Sequence, residues 1–212
     1  MSFLDAYTFF GSVIVVGVLI VMAGVLSFVR LPSRLQLVLA VLWLAVHAAA
    51  LATNAGGLLP TNLLVIGSAV FGAGLIARAA RTPGALAALA VTASVVDITS
   101  FHAGPTRWLL SSDSGGAATV LRYLAVTVPV DGSPIPVVGI GDLVLFGAFL
   151  LGLREFGCRP WAAAGVLATG LLIALAVGLA RGGAFGIPFM AVGVLGFVVF
   201  HRRASQAKEQ RP

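Results

Sequence analysis

The chain has 212 residues, 59% of them hydrophobic and 9% charged, with a formal net charge of +6 and a mean hydropathy of +1.08. So apolar a composition excludes a soluble globular domain and points to an all-α polytopic membrane protein. Nor does the positive balance indicate a nucleic-acid partner, because the basic residues stand at the ends of apolar runs instead of clustering on one segment.

Seven stretches meet the requirement of roughly 20 mainly apolar residues for a membrane-spanning helix. They lie near 8–29, 35–53, 61–78, 84–102, 136–154, 161–180 and 184–201, which predicts seven transmembrane helices in a single domain over 1–212. The first is read as a permanent helix and not a secretory signal: Asp5 precedes it, a basic n-region does not, and the apolar run exceeds a signal core. Breakers such as Leu31-Pro32-Ser33, Thr82-Pro83-Gly84 and Arg159-Pro160 keep most connectors short. In the middle of the second stretch, His47 is expected to hydrogen-bond a neighbouring helix as a neutral ring. On the sixth, Gly170, Ala174, Gly178 and Gly182 form a ridge of small residues that admits another helix closely.

Only 103–135 forms a long connection. Leu121 to Val130 is rich in strand formers, Asp131-Gly132-Ser133-Pro134 reads as a turn, and Ile135 to Val138 reads as a returning strand. A short β-hairpin is therefore predicted just ahead of the fifth span. Ten Lys and Arg residues fall on loops 30–34, 78–83 and 154–160 and on the basic tail 202–212, against Arg107, Arg122 and Arg181 on the other side. That bias puts the N-terminus and the long loop outside and the C-terminus in the cytoplasm. Trp108 and Trp161 read as interfacial belt residues. The compact loops and Arg- and Ala-rich composition suggest a prokaryotic plasma membrane.

Two acids, Asp97 and Asp142, interrupt otherwise apolar stretches on consecutive spans. A carboxyl at membrane depth costs roughly 3 kcal/mol or more, so each marks a functional site. Both are expected about one to two turns from the outer face, given a rise of about 1.5 Å per residue. Asp142 closes Gly139-Ile140-Gly141-Asp142, where two positions without side chains permit an extended or unusual backbone and close approach of another chain. Asp97 shares a helical face with Ser94 and Ser100, whose hydroxyls can bond a carboxyl. Facing carboxyls cannot both ionise cheaply, so one proton is shared between them. The ionised member can then take a proton from water while the protonated member polarises a peptide carbonyl, the roles exchanging as the amine leaves. This is peptide hydrolysis with Asp97 and Asp142 as catalytic residues and neither metal nor cofactor. A strand edge beside Asp142 suits capture of an unwound substrate segment. The alternative is a proton-coupled transporter, or a catalytically inactive, protease-like binding protein, using the same acids.

No His, Cys or acidic residues are spaced as metal ligands. The only lysine, Lys208, lies in the tail, so a retinal-binding protein is excluded. The lone Cys158 cannot form an intrachain disulfide.

The segment Gly139-Ile140-Gly141-Asp142, followed by Leu143-Val144-Leu145-Phe146-Gly147, resembles the second catalytic motif of the presenilin and signal-peptide-peptidase family of intramembrane aspartyl proteases. In that family the first aspartate lies on the preceding helix and two helices follow the second, the last opening with a Pro-Ala-Leu motif. Here Pro188 matches the proline, Phe189 and Met190 replace the next two residues, and Val96 stands where the family usually has an aromatic residue. The resemblance implies that Gly139, Ile140, Gly141, Pro188, Phe189 and Met190 contact substrate. With the exterior loop and cytoplasmic C-terminus, it implies signal-peptide-peptidase-like specificity. Substrates would be membrane spans with the N-terminus inside, including leftover signal peptides, taken from the lipid bilayer.

Overall fold

The computed structural model describes residues 3–28, 33–54, 56–104, 115–130, 133–181 and 186–209. They form eight helices and one two-stranded sheet: α1 (Phe3–Phe28), α2 (Ser33–Thr53), α3 (Leu58–Ala79), α4 (Pro83–Ala103), α5 (Gly115–Leu124), β1 (Ala125–Val130), β2 (Ser133–Gly139), α6 (Ile140–Glu155), α7 (Pro160–Arg181) and α8 (Ile187–Glu209). Arg107, Trp108 and Asp131-Gly132 lie outside the described residues.

Local signals account for several boundaries. Thr82 caps α4 by accepting the Ala85 N–H at 3.1 Å, and Pro83 begins the helix where a missing N–H is harmless. After α6, Gly157 takes the left-handed conformation with φ +85. Its N–H donates to the Arg154 carbonyl and that of Cys158 to the Leu153 carbonyl, each at 3.0 Å, a Schellman closure. Pro160 then starts α7.

Among the described residues, four helical segments are long and apolar enough to cross a membrane: Arg34–Thr53, Leu58–Ala79, Pro83–Ala103 and Pro160–Val177. Shorter apolar runs occupy Val13–Val25 and Ile187–Phe200. The stretch expected to span from 136 is divided instead, because β2 takes residues up to Gly139 and α6 keeps only 16 residues. At about 1.5 Å per residue that is roughly 24 Å, short of a typical hydrocarbon core. Two other expectations change. Leu121–Leu124 is helical, ending α5 with Tyr123 fully buried, so tertiary packing overrides strand propensity there. The tail is helical as far as Glu209.

α6 is the central helix. Leu143, Leu145, Phe146, Phe149, Leu150 and Leu153 are all buried, on every side of the helix. It packs most extensively on α3 and also on α7, α1 and α8. α2 lies outside α3, with Leu35, Val38, Leu42 and Val46 exposed, an apolar face suited to lipid. Trp43 of α2 rests against Gly67 and donates to the Leu64 carbonyl at 3.0 Å. α4 hangs chiefly on α8 and makes little direct contact with α3 or α6.

Close crossings occur where glycine removes a side chain. A Cβ built on Gly170 of α7 would lie 2.9 Å from the backbone of Phe189 and Met190 in α8. Backbone cannot yield as a side-chain tip can, so Gly170→Ala is expected to destabilise the protein by about 1–3 kcal/mol. Gly165→Ala, which meets nothing within 4 Å, serves as the neutral control. Thermal unfolding of both variants in detergent checks this.

Candidate active site

The site is assembled where α6 and α8 begin. Gly139 is the N-cap of α6, in ordinary extended backbone with φ −72 and ψ 151, which places Asp142 at the third helical position. A carboxyl there can reach back to the N-cap, and the Gly139 N–H donates to it. Of the extended or unusual backbone expected here, Gly139 takes the extended form. What the glycines supply is room. A Cβ on Gly139 would sit 3.3 Å from Asp142 Oδ2, while one on Gly141, which is exposed, would meet nothing within 4 Å.

The depth follows from packing. Val144 lies beside Gly72 of α3, and Asp142 is half a turn above it. Asp142 is therefore level with the middle of α3, about 18 Å from its start. It lies this far along because the hairpin packs beside the first half of α3 before α6 begins.

Asp97 comes to the same level by register. Leu86 near the start of α4 packs against Gly152 near the end of α6, a Cβ on that glycine lying 2.7 Å from Leu86 Cδ1. Eleven residues lead from Leu86 to Asp97 and ten lead back from Gly152 to Asp142. The two helices run in opposite directions, so both acids lie about 15–17 Å from that contact.

They converge on Gly186-Ile187. Asp97 Oδ2 accepts the Ile187 N–H at 3.2 Å. Asp142 Oδ1 faces Gly186, where a Cβ would lie 2.5 Å from that oxygen and 2.8 Å from Leu171 Cδ2. The carboxyls are close enough to interact electrostatically. Asp142 Oδ1 is fully enclosed and has no hydrogen-bond partner among the described residues. Both helix N-termini thus bring their positive dipole ends to the acidic pair.

Other expected contacts fall differently. Ser94 Oγ donates to the Ala90 carbonyl of its own helix at 2.7 Å instead of to Asp97. Pro188 follows Ile187 in the first turn of α8, where proline is tolerated. Met190 is buried in the core, and the Phe189 carbonyl faces Gly170. Ile140 packs half-buried against the core cluster. Gly186 and the Ile187 amide belong to the site but were not singled out from sequence. Their signal was a glycine two residues ahead of Pro188 at a helix start. His47 does bond neighbouring elements as expected, its Nδ1 accepting from Ser68 Oγ and its Nε2 donating to the Tyr123 carbonyl, both at 2.7 Å. The Nε2 role follows from its partner, since a carbonyl can only accept, and in a neutral ring Nδ1 is then the acceptor. Among the described residues no group of three or more His, Cys, Asp or Glu side chains could hold a metal ion.

Comparison with protein-family models, with curated proteins and with solved structures returned no match to this chain.

Asp97 also serves α8 as a cap borrowed from another helix. Asp97→Ala removes the acceptor of the Ile187 N–H and is expected to destabilise the protein by about 0.5–2 kcal/mol. Asp97→Asn keeps an acceptor oxygen and loses less. Denaturation midpoints of the two variants in one detergent give the comparison.

Proposed function

We propose that this chain is an intramembrane aspartyl protease that hydrolyses peptide bonds within membrane-spanning segments, with Asp97 and Asp142 as the catalytic pair. One observation carries the reading: the two acids, from different helices, meet at Gly186-Ile187 at mid-depth of an apolar bundle. Asp142 Oδ1, enclosed and unpaired, keeps its hydrogen-bonding capacity for a bound group. In the reaction one carboxylate removes a proton from water, the partner acid donates to the scissile carbonyl oxygen, and the tetrahedral intermediate collapses as the amine is protonated. The half-buried strand β2 leads directly into Asp142, and an extended, unwound segment laid beside it would present its carbonyls to the pair.

The same proposal extends to topology. With α1, α6 and α8 counted beside the four long apolar helices, the chain crosses the membrane seven times, N-terminus outside. Its placing in a prokaryotic plasma membrane and its preference for spans with the N-terminus inside rest on the charge bias and on the presenilin and signal-peptide-peptidase resemblance around Gly139–Asp142 and Pro188.

A second reading, a non-catalytic binding protein or proton-coupled transporter, draws on Asp97 being engaged by the Ile187 N–H, a bond any structural cap would make.

Purified protein incubated with a reporter membrane segment decides between them. Asp97→Asn and Asp142→Asn should each lower the cleavage rate by about 100-fold or more, while Glu155→Gln, exposed at the end of α6, leaves it unchanged. Cleavage that persists in either aspartate variant, or a wild type that cuts none of a varied panel of segments, sinks the protease reading. Gly186→Ala should reduce cleavage at least about tenfold by displacing the Asp142 carboxyl, because proton transfer depends on hydrogen-bond geometry. Circular dichroism of that variant should match wild type.

A further inference from the structure

β1 is the covered strand of the hairpin, with Ala125, Val126, Thr127 and Val128 all buried. Thr127 pairs across the sheet with Pro136, a residue without an N–H. In an antiparallel pair the N–H and C=O of one residue point to the same side. At Thr127 both turn away from β2 to one side chain on α3. The Thr127 N–H donates to Asn62 Oδ1 at 2.9 Å, and the Thr127 carbonyl accepts from Asn62 Nδ2 at 2.8 Å. Thr127 Oγ1 adds a longer bond to the same Asn62 oxygen at 3.3 Å. A primary amide presents donor and acceptor side by side in one plane, as the peptide of a neighbouring strand would. Asn62 therefore fills, for a single residue, the place of a third strand on the outer edge of β1.

The grip is tied to the acid pair through α3. That helix carries Asn62 near its start, and ten residues further on Gly72 meets Val144 of α6. It also carries Ser68, which with His47 holds the Tyr123 carbonyl just before β1. Hairpin and Asp142 are thus both referenced to one rigid element.

We propose that Asn62 is a positioning residue whose carboxamide stands in for a β-strand, keeping the hairpin assembled at a fixed depth above Asp142 before any extended segment binds. Its consequence for cleavage rests on the proteolytic reading: a hairpin held at constant depth fixes which peptide bond of an added strand reaches the two acids.

Two measurements on the full-length protein in detergent test this. In Asn62→Ala, amide hydrogen exchange of residues 125–130 without substrate should speed up by about tenfold or more, since two buried backbone groups lose their partners. Asn62→Asp, which keeps the acceptor and loses the donor, should fall between, and it carries the test if the alanine variant does not fold. With a reporter segment, cut sites mapped by mass spectrometry should spread to neighbouring bonds, and KM should rise by a larger factor than kcat falls. Unchanged exchange in Asn62→Ala overturns the proposal. Faster exchange with an unchanged cut site and KM overturns it equally, leaving Asn62 a structural contact. Should wild type cut no segment, the proteolytic reading fails separately, and the exchange comparison still upholds or overturns the clamp.

Discussion

The start of α8 has to accommodate two acidic side chains at once, and it can do so because Gly186 contributes no side chain of its own. Asp142 Oδ1 occupies the space a Cβ would take, while the next amide, Ile187 N–H, is given to Asp97. α4 makes little direct contact with α6, so the two acid-bearing helices are brought into relation mainly through α8. Close crossing of α8 over Gly170 of α7 sets its height, and the Leu86–Gly152 contact sets the height of α4. Small residues thus do in this bundle what burial alone cannot do in lipid, where hydrocarbon competes equally for every apolar face.

A β-hairpin within an apolar bundle carries a second obligation. Backbone N–H and C=O groups away from water must find partners inside the protein. β2 cannot supply all of them, because in a two-stranded sheet every second residue of β1 turns its N–H and C=O away from its partner strand. The deficit at Thr127 is met by Asn62, and the carbonyl just ahead of the sheet by His47. Polar side chains that look isolated on apolar helices, namely His47, Asn62 and Ser68, are thus the fittings of one irregular backbone segment. Packed beside the first half of α3, that segment makes α6 begin level with the middle of α3, and so places Asp142 there.

Much of this was legible in the residues. Apolar run length marked α2, α3, α4 and α7, because a helix that crosses lipid must be continuously apolar. β-branched residues broken by Asp131-Gly132 and prolines announced the hairpin. Asp97 and Asp142 stood out because a carboxyl in such surroundings is expensive. Local preference misled where it was the only guide: Leu121–Leu124 reads as strand yet closes α5 around Tyr123, and the stretch from 136 reads as span although its first residues belong to the returning strand. Ser94 looked like a partner for Asp97, but its own helix offered a nearer carbonyl.

Composition and pattern by themselves determined an apolar helical bundle, its principal helices, a hairpin before the fifth stretch and two acids out of place, since each is a property of a short continuous segment. Only the tertiary structure decided that α6 and α8 start halfway down the bundle, that both acids meet at Gly186-Ile187, and that Asn62 and His47 hold the hairpin. Those outcomes depend on heights and contacts between helices far apart in the chain, and they are set by which glycine lies beneath which side chain.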